Sequence, residues 1–107
     1  MKMITAIVNR EDTKAVCSAL IKGGFSVTRL STTGGFLMAG NTTLLIGTDD
    51  EKVDACIDII SGCCKQRTEV VPSASSYGLG VSTAIPLQVT VGGATIFVTN
   101  VERFQKL

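Results

Sequence analysis

Apolar and polar residues follow two different periods along this chain, and the switches between them predict its secondary structure. Short apolar or alternating segments, typical of strands, cover residues 3–8, 25–30 and 41–47, and return over 85–91 and 94–99. Between the first two segments, and again after the third, apolar residues are spaced three and four apart. This pattern predicts five strands and two helices.

Residues with capping tendencies mark the ends of both helices. Asn9, with Asp12 three positions on, resembles a capping arrangement that opens the first helix, and Gly23 and Gly24 end it after Lys22. The second helix is predicted to start from a capping box made by Thr48, Asp49, Asp50 and Glu51. The predicted buried faces are Val16, Ala19 and Leu20 on the first helix and Val53, Cys56, Ile57, Ile60 and Cys64 on the second.

The second strand has one face that is more polar than the other. Ser26 and Thr28 share a face, opposite Phe25, Val27 and Arg29. Strict alternation places the apolar residue at position 30 on the polar face, so we expect a twist or a bulge near the end of this strand.

The connections complete a fold prediction. Loops are expected over residues 32–40 and 68–84; the second includes a short strand at 68–71 and a mobile serine- and glycine-rich segment at 72–83. Gly92-Gly93 predicts a tight hairpin between the last two strands. The order β-α-β-β-α-β predicts a single α+β domain over residues 1–107, ferredoxin-like, with a C-terminal hairpin. Because that plan leaves one sheet face bare, we expect a homotrimer in which other subunits cover it.

Composition agrees with an oligomer and excludes several classes of partner. Hydrophobic residues make up 45% of the chain, so some apolar surface is expected to be buried between subunits. The net charge of +1 does not suit a DNA- or RNA-binding surface. The apolar segment at 3–8 is too short for a signal-peptide core or a membrane span, so we expect a cytoplasmic protein without membrane insertion.

The chain lacks histidine, which argues against catalysis and against a metal site. Histidine is the commonest general base and a frequent zinc ligand, and we predict neither a catalytic residue nor a bound cofactor. The four cysteines, Cys17, Cys56, Cys63 and Cys64, are expected to be reduced thiols, with Cys56 and Cys64 filling the core.

The segment before the third strand is the strongest candidate for ligand binding. Gly34 and Gly35 can bring the backbone close to a bound group, Phe36 offers a ring on which a base can stack, and Asn41 offers both a donor and an acceptor. A connecting loop that merely needs flexible residues explains the same segment equally well.

Longer blocks of sequence resemble the PII-like cyclic di-AMP receptors, and the resemblance covers nearly the whole chain. The blocks are Thr32-Thr33-Gly34-Gly35-Phe36-Leu37, Gly40-Asn41-Thr42-Thr43, Ile46-Gly47, Val91-Gly92-Gly93-Ala94-Thr95-Ile96-Phe97-Val98 and the tail Val101-Glu102-x-Phe104. The resemblance implies a homotrimeric signal-transduction protein that binds one cyclic dinucleotide in each intersubunit cleft and reorganises its long loops on binding. A downstream protein that reads those loops is implied but not identified.

The resemblance also implies roles for particular residues. Thr28, Asn41 and the backbone of Gly47 would contact one adenine, and Gly35, Phe36 and Leu37 would form a wall around base and phosphate. Gly92 and Phe97 would close the site from the neighbouring subunit.

This chain departs from the family pattern at three positions. Ser26, which we include among the predicted ligand contacts, stands where an arginine near the ligand is common. Gly24 replaces an asparagine, and Lys106 replaces a glutamine. Arg29 or Lys106 is expected to compensate for the missing arginine, or affinity is expected to be lower.

Two other functions remain compatible with the sequence. A PII-type regulator that senses ATP would share the fold, although it would need more basic residues for a triphosphate. A trimeric adaptor without a ligand would share it too, with Phe36 packed under its own loop.

Overall fold

The computed structural model describes residues 1–30, 40–72 and 86–107. The bounds of its elements are β1 (Lys2–Asn9), α1 (Arg10–Lys22), β2 (Val27–Leu30), β3 (Asn41–Thr48), α2 (Val53–Cys63), β4 (Arg67–Pro72), β5 (Pro86–Val91) and β6 (Ala94–Asn100). A single 3-10 turn, Asp50–Lys52, precedes α2.

Four strands form one antiparallel sheet in the order β2-β3-β1-β6, and α1 and α2 pack together on one of its faces. The predicted α+β class is therefore confirmed, with an architecture compatible with a ferredoxin-like fold. Strands β4 and β5 pair only with each other among the described elements and form a separate two-stranded ribbon between α2 and β6.

The core lies between the helices and the covered face of the sheet. In β1, Ile4, Ala6 and Val8 are fully or almost fully buried, whereas the residues between them are half-buried. Cross-strand pairing places Leu44 and Ile46 of β3 opposite the same buried residues. The helices contribute Val16, Leu20, Cys56, Ile60 and Cys64 to this core, with Val53 packed at its edge, as the helical periodicity predicts. Ala19 and Ile57, predicted for the same faces, are only half-buried.

No helix of the described part of the chain covers the other face of the sheet, here called the open face. It carries Met3, Thr5 and Ile7 of β1, together with their cross-strand partners. Pairing places Thr28 of β2 and Phe97 of β6 on this face as well. The expectation that the sheet has one bare face thus holds for the described residues.

The two helices begin differently. Asn9 caps α1, since its side-chain oxygen accepts a 2.8 Å hydrogen bond from the backbone N–H of Glu11. The predicted capping box of the second helix is not formed, because Asp49 makes no side-chain cap and α2 starts only at Val53. Asp50 is instead drawn to the Met1 ammonium, 2.9 Å away.

The second strand continues without a bulge. The pairing of β2 with β3 is unbroken from Val27 opposite Ile46 to Leu30 opposite Thr43. Leu30 therefore lies on the open face with Thr28, as strict alternation requires, and is 39% exposed. The sequence-based explanation by twist or bulge is wrong; the position is apolar simply because this face is partly apolar.

The predicted C-terminal hairpin is also wrong. β5 pairs with β4 and β6 pairs with β1, so Gly92-Gly93 carries the chain from the ribbon into the sheet instead of joining two paired strands. Of the predicted loops, residues 68–72 belong to β4, while residues 31–39 and 73–85 lie outside the described residues.

All four cysteines are free thiols. Cys56 and Cys64 are buried in the core as predicted, and burial raises the pKa of both. For Cys64 the pKa rises to about 11, with the nearby Asp12 carboxylate adding to the effect of burial. Both side chains therefore remain protonated at neutral pH, which suits a packing role better than a redox one.

Candidate functional site

Pairing across the sheet lines up four residues on the open face. Thr28 lies opposite Leu45, Leu45 opposite Thr5, and Thr5 opposite Phe97. Because neighbouring strands are about 4.8 Å apart, Phe97 lies roughly 14 Å from Thr28 in the same chain. Phe97 is 54% exposed, so its ring is available to another molecule.

A pocket of about 330 Å³ opens at the β2 side of this face. We call it the Thr28 pocket; its lining residues are Met1, Met3, Ser26, Thr28, Leu45, Gly47, Val101 and Phe104. Three of the predicted ligand contacts, Ser26, Thr28 and Gly47, therefore lie together. Two hydroxyl residues against a mostly apolar wall can bind a flat heterocycle by its edge and its face.

Contacts at both ends of the chain shape this pocket. The pairing of Met1 with Asp50 lowers the pKa of that carboxyl, chiefly through the hydrogen bond from the ammonium group. The Met1 methyl carbon lies only 3.2 Å from the position that a Cβ on Gly47 would take, so a side chain there would crowd Met1. The Val101 N–H donates a 3.2 Å hydrogen bond to the Met1 carbonyl and holds the start of the tail beside β1.

A second pocket, of about 420 Å³, lies around the start of β3. We call it the Asn41 pocket; its lining residues are Ile7, Asn9, Asn41, Gln66, Gly92, Gly93, Ala94 and Thr95. It unites two further predicted contacts, Asn41 and Gly92. Its amide and hydroxyl side chains can donate and accept hydrogen bonds, and glycine backbone in the left-handed region can present N–H groups to an anion.

Gly92 sits where only glycine fits. Its φ is +83°, and an added Cβ would lie 2.5 Å from the Lys65 carbonyl oxygen and 2.9 Å from a guanidinium nitrogen of Arg67. That guanidinium lies 3.3 Å from the Asp12 carboxylate and 3.4 Å from that of Glu11, and these contacts raise the pKa of Arg67. The first turn of α1 is thereby tied to the base of the β4–β5 ribbon, directly behind Gly92.

The structure separates two contacts that the resemblance assigns to one adenine. Asn41 and Gly47 stand at opposite ends of β3, six residues and therefore about 20 Å apart. A single adenine cannot reach both within one chain. Three other predicted contacts, Gly35, Phe36 and Leu37, lie outside the described residues.

Among the described residues, no charged side chain lines either pocket. Arg29 pairs with the buried Leu44 and so belongs to the opposite face from Thr28. It therefore cannot compensate for Ser26 within this chain. Lys106 is exposed and is not part of the described lining.

Sequence reasoning missed several lining residues. Met1 and Gln66 were not predicted as contacts, because both lie outside the sequence blocks that carry the resemblance. Thr95 and Phe104 lie within those blocks, but the resemblance assigned them no contact. The tail block containing Phe104 was part of the resemblance, and this was the only available signal for its place at the pocket.

No helix in the described part of the chain is long and apolar enough to cross a membrane. The same residues contain no group of three or more metal-ligating side chains. Among the described residues, the two pockets on the open face have no charged side chains in their linings, and such pockets can bind a small ligand.

Comparison with known proteins shows which family this chain belongs to. The chain belongs to the cyclic-di-AMP receptor family, whose model matches residues 1–107. It is also similar to the crystal structure of a functionally unknown protein from Pediococcus pentosaceus, with 35% identity and a TM-score of 0.74. That similarity covers 99% of this chain and 96% of the other.

Proposed function

We propose that this protein is a cytoplasmic, homotrimeric receptor that binds cyclic di-AMP in clefts between its subunits. The observation that carries the proposal is the Thr28 pocket, which joins the predicted contacts Ser26, Thr28 and Gly47 in a member of the cyclic-di-AMP receptor family. Its volume of about 330 Å³ is near the lower end of the usual range for small-ligand sites. One base of the ligand would occupy it.

The separation of the two pockets supports a site shared between subunits. Asn41 lies about 20 Å from Gly47 along β3, too far to complete the same base site in one chain, and Gly92 lines the same pocket as Asn41. In a trimer packed through the open faces, the Asn41 pocket and Phe97 of one subunit would approach the Thr28 pocket of the next. This regroups Asn41 with the contacts from the neighbouring subunit.

The phosphates of cyclic di-AMP would be held without a strong positive patch. Ser26 offers a hydroxyl donor in place of the family's arginine, and backbone N–H groups at Gly92 and in the segment Gly35, Phe36 and Leu37 can supply the rest. A charge-assisted hydrogen bond contributes about 1.5–3 kcal/mol, so the affinity should be lower than in relatives that retain the arginine.

Removing a polar side-chain contact from either pocket should weaken the binding of cyclic di-AMP. Thr28→Val preserves the shape of the side chain and removes one hydrogen bond, so affinity for cyclic di-AMP should fall about threefold to tenfold. Asn41→Ala, which removes a donor and an acceptor, should cause a larger loss. Thr68→Val is the matched control, because Thr68 is an exposed strand threonine of β4 outside both pockets. Isothermal titration with cyclic di-AMP, cyclic di-GMP and ATP measures these effects.

Three results would contradict the proposal, each in a different way. Tighter binding of ATP than of cyclic di-AMP would favour the PII-type nucleotide regulator. An absence of heat with all three ligands would contradict the receptor proposal and leave the ligandless adaptor as the better account. Loss of affinity in Thr68→Val equal to that in Thr28→Val would remove the evidence for the Thr28 pocket.

Occupancy is proposed to be signalled through the segments 37–40 and 72–83 to a protein partner that remains to be found. The second segment is rich in serine and glycine and connects the strands of the β4–β5 ribbon, whose base adjoins Gly92. We expect saturating cyclic di-AMP to slow proteolytic cleavage within 72–83. Unchanged cleavage sites and rates, with binding verified in the same sample, would contradict this route.

A further inference from the structure

We propose that Phe104 is a base-stacking residue of the receptor. This inference rests on the proposed function, and it assigns a contact that the family resemblance did not supply. Phe104 lines the Thr28 pocket and is nevertheless 66% exposed. A large aromatic side chain left in water at the edge of a pocket has apolar area that a ligand can bury.

The position of Phe104 follows from how its tail is anchored. Lys2 and Asn100 are cross-strand partners and their side chains are hydrogen-bonded, which fixes the end of β6 beside the start of β1. The next residue, Val101, donates its N–H to the Met1 carbonyl. Three residues further on, Phe104 lies at the same pocket as the ends of β2 and β3. The tail therefore brings an aromatic residue to a site that the sheet leaves open.

The chemistry around Phe104 suits a purine. The hydroxyl residues Ser26 and Thr28 can bond the edge of the base, while the apolar residues Met3 and Leu45 accept its face. Stacking on an aromatic ring adds about 1–3 kcal/mol per base, and it favours the larger surface of a purine over that of a pyrimidine. With the arginine at position 26 absent, stacking is the strongest single interaction that the described part of this pocket offers.

The test uses the absence of tryptophan from the chain. Phe104→Trp preserves an aromatic surface and introduces a single tryptophan, whose emission can be excited selectively, at the proposed contact. Cyclic di-AMP should change its emission, with a midpoint matching that from isothermal titration. Phe104→Ala should bind cyclic di-AMP about tenfold to a hundredfold more weakly than the unmodified chain. Leu107→Ala, a fully exposed apolar residue of the same tail and outside the pocket, should bind normally.

The outcomes separate this inference from the function on which it rests. If the unmodified chain binds cyclic di-AMP while Phe104→Ala binds equally well, or if the tryptophan emission does not respond at saturation, the stacking role is overturned and the receptor stands. If the unmodified chain gives no heat, both are overturned. Sedimentation velocity decides the remaining case, since a Phe104→Ala protein that loses assembly together with binding would identify an interface residue and overturn the stacking role.

Discussion

Replacing Gly92 with alanine is expected to destabilise the protein more than an ordinary loop substitution. A residue with a Cβ at φ +83° is strained by about 1–2 kcal/mol. The new methyl group would also lie 2.5 Å from the Lys65 carbonyl oxygen, which is backbone and cannot rotate away. Relieving such an overlap adds about 1–3 kcal/mol. Urea unfolding followed by circular dichroism measures the loss, at one fixed protein concentration.

Gly24→Ala is the matched control for this prediction. Gly24 has a nearly equal φ of +89°, but nothing lies within 4 Å of the position of its Cβ. The difference between the two variants therefore isolates the overlap with Lys65 from the backbone strain. Equal losses of unfolding free energy in the two variants would show that the backbone around Lys65 can move to accommodate a Cβ at position 92.

Leu44→Ala should cause a loss of stability comparable to that of Gly92→Ala, by a different mechanism. Leu44 is fully buried on the covered face, and truncating a buried leucine to alanine costs about 2–5 kcal/mol because a cavity remains. The adjacent Leu45 lies on the open face and is only half-buried in the single chain. Leu45→Ala should therefore leave most of the chain's own stability intact while weakening assembly and ligand binding.

Two measurements on this pair test the proposed trimer. Denaturant unfolding should separate Leu44→Ala from Leu45→Ala by several tenfold steps in the folding equilibrium, since each 1.4 kcal/mol is a factor of ten. Sedimentation velocity should show the unmodified chain at three times the chain mass and Leu45→Ala shifted toward smaller species. A trimer that survives Leu45→Ala unchanged would show that the open face is not where the subunits meet.

The sequence predicts the elements of this fold well because burial imposes its own period on the residues. In β1 the alternation of Ile4, Ala6 and Val8 with their neighbours reflects one covered and one open face. The same holds for Val16 and Leu20 on α1, one helical turn apart. These predictions depend only on residues near each other in sequence.

The failed predictions concern choices that local sequence does not determine. The segment 48–51 matches a capping box locally, but a 3-10 turn, Asp50–Lys52, precedes α2, and Asp50 pairs with the ammonium group of Met1, which is remote in sequence. Gly92-Gly93 was interpreted as a hairpin because glycine suits any turn with positive φ. Which strand then pairs with β6 is decided by the sheet, and β1 takes that place.

For the candidate site, too, the sequence predicts which residues take part better than it predicts where they lie relative to one another. The resemblance predicted Asn41 and Gly92 as ligand contacts, and the structure brings them to one pocket. It assigned Asn41 and Gly47 to the same adenine, although these residues stand at opposite ends of β3, about 20 Å apart. The role of each residue stays a prediction until binding is measured.

The distance between the two ends of β3 has a consequence for trimers that contain two different defective variants of the chain. In the proposed trimer each cleft takes its Thr28 side from one subunit and its Asn41 side from the next. A copy defective only at Thr28 and a copy defective only at Asn41 would each be unable to form a sound cleft alone. A trimer that contains both kinds of copy would always have one cleft with an intact Thr28 side and an intact Asn41 side. Two variants that are each inactive alone would therefore restore ligand binding when they are produced together.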